Sequence, residues 1–135
     1  MVNVKIANPP DWLLKEIKEK FGIFPGIVYA YDDIIYNPDN IEIPYDLLEH
    51  ETTHLRRQHE NGATPESWWR DYLNEPIFRL REETEAYKAQ YRAIKDKVLN
   101  RSRRHRELNE LAKKLSSPLY GNLVSFVMAM QLIKS

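Results

Sequence analysis

The chain has 135 residues, 42% of them hydrophobic, with 20 Lys+Arg balanced by 20 Asp+Glu and no cysteine. That length suits one domain burying about two-thirds of its unfolded surface, and the lack of thiols excludes a disulfide framework and leaves histidine and carboxylate as metal donors. No stretch approaches the roughly 18 consecutive apolar residues of a membrane span, and Met1 to Ile6 lacks a secretory apolar region, so a cytoplasmic protein with no membrane partner is expected.

Val2, Val4 and Ile6 alternate with polar neighbours, which predicts a short half-buried strand. After Pro9-Pro10, Asp11 is placed to cap a helix to about Phe21, with Trp12, Leu13, Ile17 and Phe21 as its apolar positions and Gly22 beyond its end. Phe24-Pro25-Gly26 is a turn signal. Ile27 to Tyr31 and Ile34 to Tyr36 read as strands joined at Asp32-Asp33, and Asn37-Pro38-Asp39-Asn40 should reverse the chain into Ile41-Glu42-Ile43. A small antiparallel sheet is thus predicted just ahead of the next helix.

That helix has Asp46 as its candidate N-cap and Asn61-Gly62 as its stop, and it carries His50-Glu51-Thr52-Thr53-His54. At about 100° per residue, Leu48, His50, Glu51, His54, Leu55 and Gln58 share one half of the wheel, while Thr52, Arg56 and His59 point elsewhere. Two imidazoles one turn apart on an inward face can hold one cation, and the adjacent glutamate can reach a water bound to it. This is the HExxH pattern, whose glutamate acts as general base in zinc hydrolases.

Thr64-Pro65 opens a short helix with Trp68, Trp69, Tyr72 and Leu73, the tryptophans being read as packing rather than as a ligand platform. Asn74-Glu75-Pro76 then begins a long helix to Asn100, with Ile77, Leu80, Tyr87, Tyr91, Ile94 and Val98 as its apolar stripe. A catalytic zinc takes three protein ligands and leaves a position for water. The metzincin spacing would put a third histidine at position 60, but Glu60 stands there and Arg57 replaces the expected glycine. His59 misses by one residue, about 140° around the helix from His54. On the long helix, Glu83 lies about 60° from the apolar stripe, whereas Glu82 and Glu85 lie about 140–160° away. Glu83 is therefore the expected third ligand.

Charge is unevenly spread: residues 1–67 carry 6 Lys+Arg against 12 Asp+Glu, and residues 68–135 carry 14 against 8. Much of the excess lies in Arg101-Ser102-Arg103-Arg104-His105-Arg106, read as a solvated helix start or loop; it lacks the aromatic interleaving of a nucleic-acid surface. Leu108, Leu111, Ala112 and Leu115 mark a further amphipathic helix ending at Ser116-Ser117-Pro118. The apolar run from Leu123 to Ile133 is a buried closing helix or an oligomer contact.

Taken together, His50-Glu51-x-x-His54 and, about thirty residues later, Glu83-Thr84-Glu85-Ala86-Tyr87 resemble the gluzincin arrangement in its smallest form. Similar layouts occur in the minigluzincins and in small regulatory and phage-encoded metallopeptidases. The resemblance covers roughly Ile41 to Tyr91. It implies an α+β, mainly helical zincin-like domain over residues 1–135, with Zn2+ held by His50, His54 and Glu83 and with Glu51 as the base. A peptide or protein substrate would lie beside a strand between Ile27 and Ile43. Many gluzincins place Asp or Asn four residues after the ligand glutamate to orient a zinc histidine; Tyr87 stands there, so either its hydroxyl or another group such as Asp46 orients the ring, or the site binds metal less tightly. Tyr72, Tyr87 and His105 have the right chemistry for an oxyanion donor. Two alternatives differ in kind: a catalytically silent zincin-fold structural or regulatory protein, or a nucleic-acid module using the 101–106 arginine run.

Overall fold

The structure, a computed structural model, describes residues 2–135. Prolines and short polar side chains set the helix starts. Helix α1 (Asp11–Lys20) follows Pro10, which occupies the cap position expected for Asp11. Helix α2 (Tyr45–Arg57) likewise follows Pro44, so Asp46 lies in its first turn, where a carboxylate still meets the positive end of the helix dipole. Thr64 and Ser67 form a reciprocal capping box for α3 (Pro65–Asn74), with Pro65 supplying a preset φ. Pro76 opens α4 (Pro76–Lys97). Asn100 caps α5 (Arg101–Leu115) and Ser125 caps α6 (Phe126–Lys134), each by accepting a backbone N–H of the first turn. A 3-10 turn, Pro118–Tyr120, lies between α5 and α6. The fold is α+β: among the described residues, these six helices accompany one three-stranded sheet, and no helix is long and apolar enough to cross a membrane.

The sheet corrects two expectations. Strands β1 (Asn3–Lys5), β2 (Tyr29–Tyr31) and β3 (Ile34–Tyr36) run in the order β1-β3-β2. β2 and β3 form an antiparallel hairpin whose two-residue turn has Asp32 at φ 63°. β1, however, pairs with β3 in parallel, so the sheet is mixed rather than antiparallel. A parallel neighbour needs a long connection, and the chain from β1 to β3 provides one by passing through α1 and β2. The segment Ile41-Glu42-Ile43 forms no strand. Asn37, only 3% exposed, donates its amide to Ile41 O (2.8 Å) and accepts Ile41 N–H (3.1 Å), consuming the groups a ladder would need. All of β1 is solvent-exposed at the edge of the sheet, rather than half-buried as its alternation predicted.

Three apolar clusters build the interior. One joins α4, α5, α6 and the 3-10 turn around Tyr87, Leu108, Leu111 and Ile133. A second joins α1, β2 and α3 around Leu13, Tyr29, Trp68 and Leu73. The smallest seats α2 on the sheet through Ala30, Ile35 and Leu55. Gln58, fully buried just past the end of α2, locks this last contact by donating to Ala30 O and accepting Asp32 N–H, both at 2.8 Å. Helix α6 buries Ala129 and Ile133 but leaves Phe126, Val127 and Met128 exposed.

Helix α4 is covered on two sides, and the single-stripe reading missed this. Tyr87 and Ile94 face the α5–α6 side, while Arg79, Glu82, Glu83 and Gln90 bond to α2 and α3. Ile77, expected on the apolar stripe, lies beyond both contacts and is 75% exposed. Glu82, expected to face outward, is 2% exposed. Its Oε1 accepts Arg57 Nε–H and the Trp68 indole N–H, each at 2.8 Å, while Oε2 accepts Arg57 Nη2–H at 2.9 Å. Burial alone would raise the Glu82 pKa, but these bonds and the Arg57 charge outweigh it and hold it below the ordinary 4.5. The stability gained is present above that ordinary value and lost as the pH falls through the lowered one. Glu82→Gln should therefore cost about 3 kcal/mol near neutrality, and thermal melts should show the gap from wild type closing as the pH falls below the ordinary carboxyl value of 4.5.

Candidate metal centre

The inward face of α2 meets α4 at the junction of the three clusters. His50 and His54 are each 5% exposed and Glu83 is 4% exposed. Glu83 Oε1 lies 2.9 Å from His50 Nε2 and 3.2 Å from His54 Nε2. These three side chains offer ligand atoms all within 4.8 Å of one another, close enough to hold a metal ion. Zinc–nitrogen and zinc–oxygen bonds of ~2.0–2.2 Å give a tetrahedron with edges of roughly 3.3–3.5 Å, so the two contacts are near that scale. Two imidazoles and one carboxylate also form a donor set suited to zinc and its neighbours in the first transition row. The residues present fit a divalent ion.

Each imidazole is held differently. His50 Nδ1 lies 2.9 Å from Gln90 Oε1, and the Gln90 amide in turn donates to Asp46 Oδ2 at 2.8 Å. The amide oxygen facing Nδ1 accepts a proton held there, so that a cation can take the place of the Nε2 proton that His50 shares with Glu83. Position 90 is two helical turns past Glu83 and on the same face, a spacing visible in the sequence once the ligand is known. The residue four past Glu83, Tyr87, does not bond to the imidazole. It packs against His50 with ring centroids 4.5 Å apart, and its hydroxyl lies 3.3 Å from that of Tyr120. Asp46 thus acts on His50 through Gln90 and not directly.

His54 lacks such a relay: its Nδ1 is buried with no hydrogen-bond partner among the described residues. Packing sets its ring instead, with Trp68 at 5.2 Å and Tyr72 at 6.3 Å between centroids. Trp68 is in turn anchored by Glu82, so the outward-reading carboxylate orders the wall behind the second histidine. Tyr72 donates its hydroxyl to Glu83 Oε2, which completes the coordination of that carboxylate by neighbours. Burial, then the Glu83 charge and hydrogen bond, raise the Tyr72 pKa well above its ordinary value, so it stays a donor. For Glu83, burial pushes upward, but the two imidazoles together with their hydrogen bonds hold the carboxyl well below the usual range.

Glu51 is half-buried beside His50 and lines the same cleft, of about 220 Å³, as His50, His54, Glu83 and Tyr72. Burial pushes its carboxyl up to about 7, with His50 opposing and Glu83 adding to the rise. A carboxyl of that basicity can take and return a proton near neutral pH. His105 sits exposed on α5 and does not line the cleft, so it has no part in this site. Arg101, Arg103 and Arg106 are likewise exposed, on the first turns of α5. Tyr120, from the 3-10 turn, and Tyr29, whose buried hydroxyl has no partner among the described residues, do line it; no local pattern marks either. Tyr29 and Ala30 of the edge strand β2 also line the cleft, but both are buried and Ala30 O already accepts the Trp69 indole N–H and the Gln58 amide. The chain matches no protein-family model, no curated protein and no solved structure.

Gln90→Leu fills the same volume without holding His50 Nδ1. Competition against a chelating dye should show metal affinity falling by about 10–100-fold, with the helical circular dichroism unchanged.

Proposed function

We propose that the protein is a small zinc-dependent metallopeptidase with a zincin-like site of gluzincin type. The observation that carries this reading is the convergence of His50 Nε2, His54 Nε2 and the Glu83 carboxylate from two helices beside a half-buried glutamate in a cleft. When bound, zinc supplies Lewis-acid polarisation of a carbonyl and lowers the pKa of water, the chemistry peptide hydrolysis requires. Glu51 takes the proton from the attacking water and passes it to the leaving amine, which departs neutral as the C–N bond breaks. Gln90 and Asp46 fix His50, and Tyr72 fixes Glu83, so the ligand atoms need little rearrangement. The apolar walls from Phe21, Ile27 and Leu47 would exclude water around the scissile bond.

One observation favours a second reading, a metal-binding domain without catalysis. The tyrosine hydroxyls beside the ligands are engaged, Tyr72 with Glu83 and Tyr87 with Tyr120, which leaves Tyr29 as the cleft's unpartnered phenolic donor.

Metal analysis of untagged protein and a broad peptide-cleavage screen separate the two. On the enzyme reading the protein carries stoichiometric zinc and cleaves peptides, and Glu51→Gln retains zinc while losing at least about a thousandfold in kcat/KM. Zinc without cleavage by wild type would leave only the silent domain. Glu51 must be ionised to act as base, so activity should fall as the pH drops through its pKa. Because a bound dication lowers the value of about 7, the acid limb of the pH–rate profile should lie at or below pH 7.

A further inference from the structure

Helix α4 carries a buried cation one turn before the candidate ligand Glu83. Arg79 is 8% exposed and lines the cleft that holds His50, Glu51 and Glu83. Among the described residues, no carboxylate lies within ion-pair distance of it. Its two hydrogen bonds both use Nη1, which donates to Tyr72 O at 2.6 Å and Leu73 O at 3.4 Å. Those carbonyls belong to the last turn of α3, where orphan acceptors and the negative end of the dipole attract a cation. Capping α3 therefore accounts for one corner of the guanidinium. It leaves Nε, buried and without a partner, on the edge that Nε shares with Nη2.

A guanidinium stripped of water and lacking a counter-ion is costly, whereas a carboxylate on the Nε–Nη2 edge would make two parallel charge-assisted hydrogen bonds. The group is also held in place: its Cζ lies 5.0 Å from the Phe21 ring centroid and 5.8 Å from that of Tyr72. Tyr72 bridges the two functions, with its ring beside Arg79 and its hydroxyl on Glu83. Residues one turn apart on a helix have Cβ atoms about 5–6 Å apart, and an extended peptide advances about 3.3 Å per residue. The cation thus sits on the order of one to three substrate residues from the candidate metal position. A second donor without a partner, the Tyr29 hydroxyl, lines the same cleft. Between these polar points the walls are Ile17, Phe21, Ile27 and Leu47, which fit bulky apolar side chains.

We propose that Arg79 is a specificity-determining residue that binds a substrate carboxylate close to the cleaved bond, so that the preferred peptides are apolar with a nearby C-terminal carboxylate or acidic side chain. This rests on the peptidase reading for the word substrate, but the carboxylate site itself does not need turnover.

The test is calorimetric titration of the zinc-loaded Glu51→Gln protein with three ligands: N-acetyl-Phe-Phe with a free carboxylate, its C-terminal amide, and N-acetyl-Phe-Asp amide. One or both acids should bind at least about tenfold more tightly than the neutral amide, and which one does so identifies the source of the carboxylate. Adding Arg79→Gln should erase the difference, and Arg79→Lys should keep part of it. Equal binding of all three peptides overturns the proposal. So does an acid preference that survives Arg79→Gln, because the carboxylate would then be held by the metal. If Arg79→Gln unfolds for want of the α3 cap, the Arg79 Nε–H resonance of the Glu51→Gln protein decides. A shift with acid and none with amide supports the site, and no shift with either overturns it. Cleavage by wild type without acid preference removes this proposal alone; acid preference without any cleavage removes the peptidase reading and leaves the carboxylate site standing.

Discussion

The seam between α2 and α4 is the constraint on which the rest of the molecule depends. Six polar side chains that would each be costly to bury alone meet there: His50, His54, Arg57, Glu82, Glu83 and Gln90. A polar group removed from water must be bonded, and a carboxylate must be paired. The register of one helix on the other is therefore fixed by two neighbouring glutamates facing different partners. Glu82 engages Arg57 and Trp68, and Glu83 engages both imidazoles and Tyr72. A slip of either helix by one residue would strand at least one charge in the interior. Such a seam gives specificity of register more than net stability, because the desolvation of its members offsets much of their attraction.

The aromatic shell follows from that seam. Trp68 hangs from Glu82 and stacks with Tyr72 at 5.1 Å between centroids, while Tyr72 reaches Glu83. The paired tryptophans act as spacers that keep His54 and Glu83 in place, and Trp69 also ties α3 to β2 through Ala30 O. The basicity of Glu51 arises from the same low-dielectric surroundings. One environment thus raises a carboxyl that would work as a base and, through the imidazoles, lowers the neighbour that would work as a ligand. Separation of two carboxyl groups in this way is how a single cleft can bind a cation and move a proton.

Arg79 shows the same economy on the other side of Tyr72. Its Nη1 completes the end of α3 and its Cζ lies over the Phe21 ring, so both contacts restrict the guanidinium. A pre-ordered cation beside apolar walls would lose little entropy on binding an anion, which lowers the cost of taking an acidic ligand over a neutral one.

The motif helix, the helix starts at Pro65 and Pro76, the β2–β3 hairpin and the choice of Glu83 over Glu85 were legible in the amino-acid order. Each is a local matter of periodicity, capping or turn chemistry. Helical spacing alone places His50 and His54 on one face, and no folding detail can separate them. Only tertiary structure decided the parallel addition of β1, the loss of a strand at Ile41 to Ile43, the burial of Glu82 and the roles of Gln90, Tyr29 and Tyr120. Those outcomes depend on which element covers which, and α4 in particular is covered twice, so its second buried face is polar and invisible to any search for a single apolar stripe. Periodicity reports how a helix is greasy; it carries no record of the partner whose own charges make a buried glutamate tolerable.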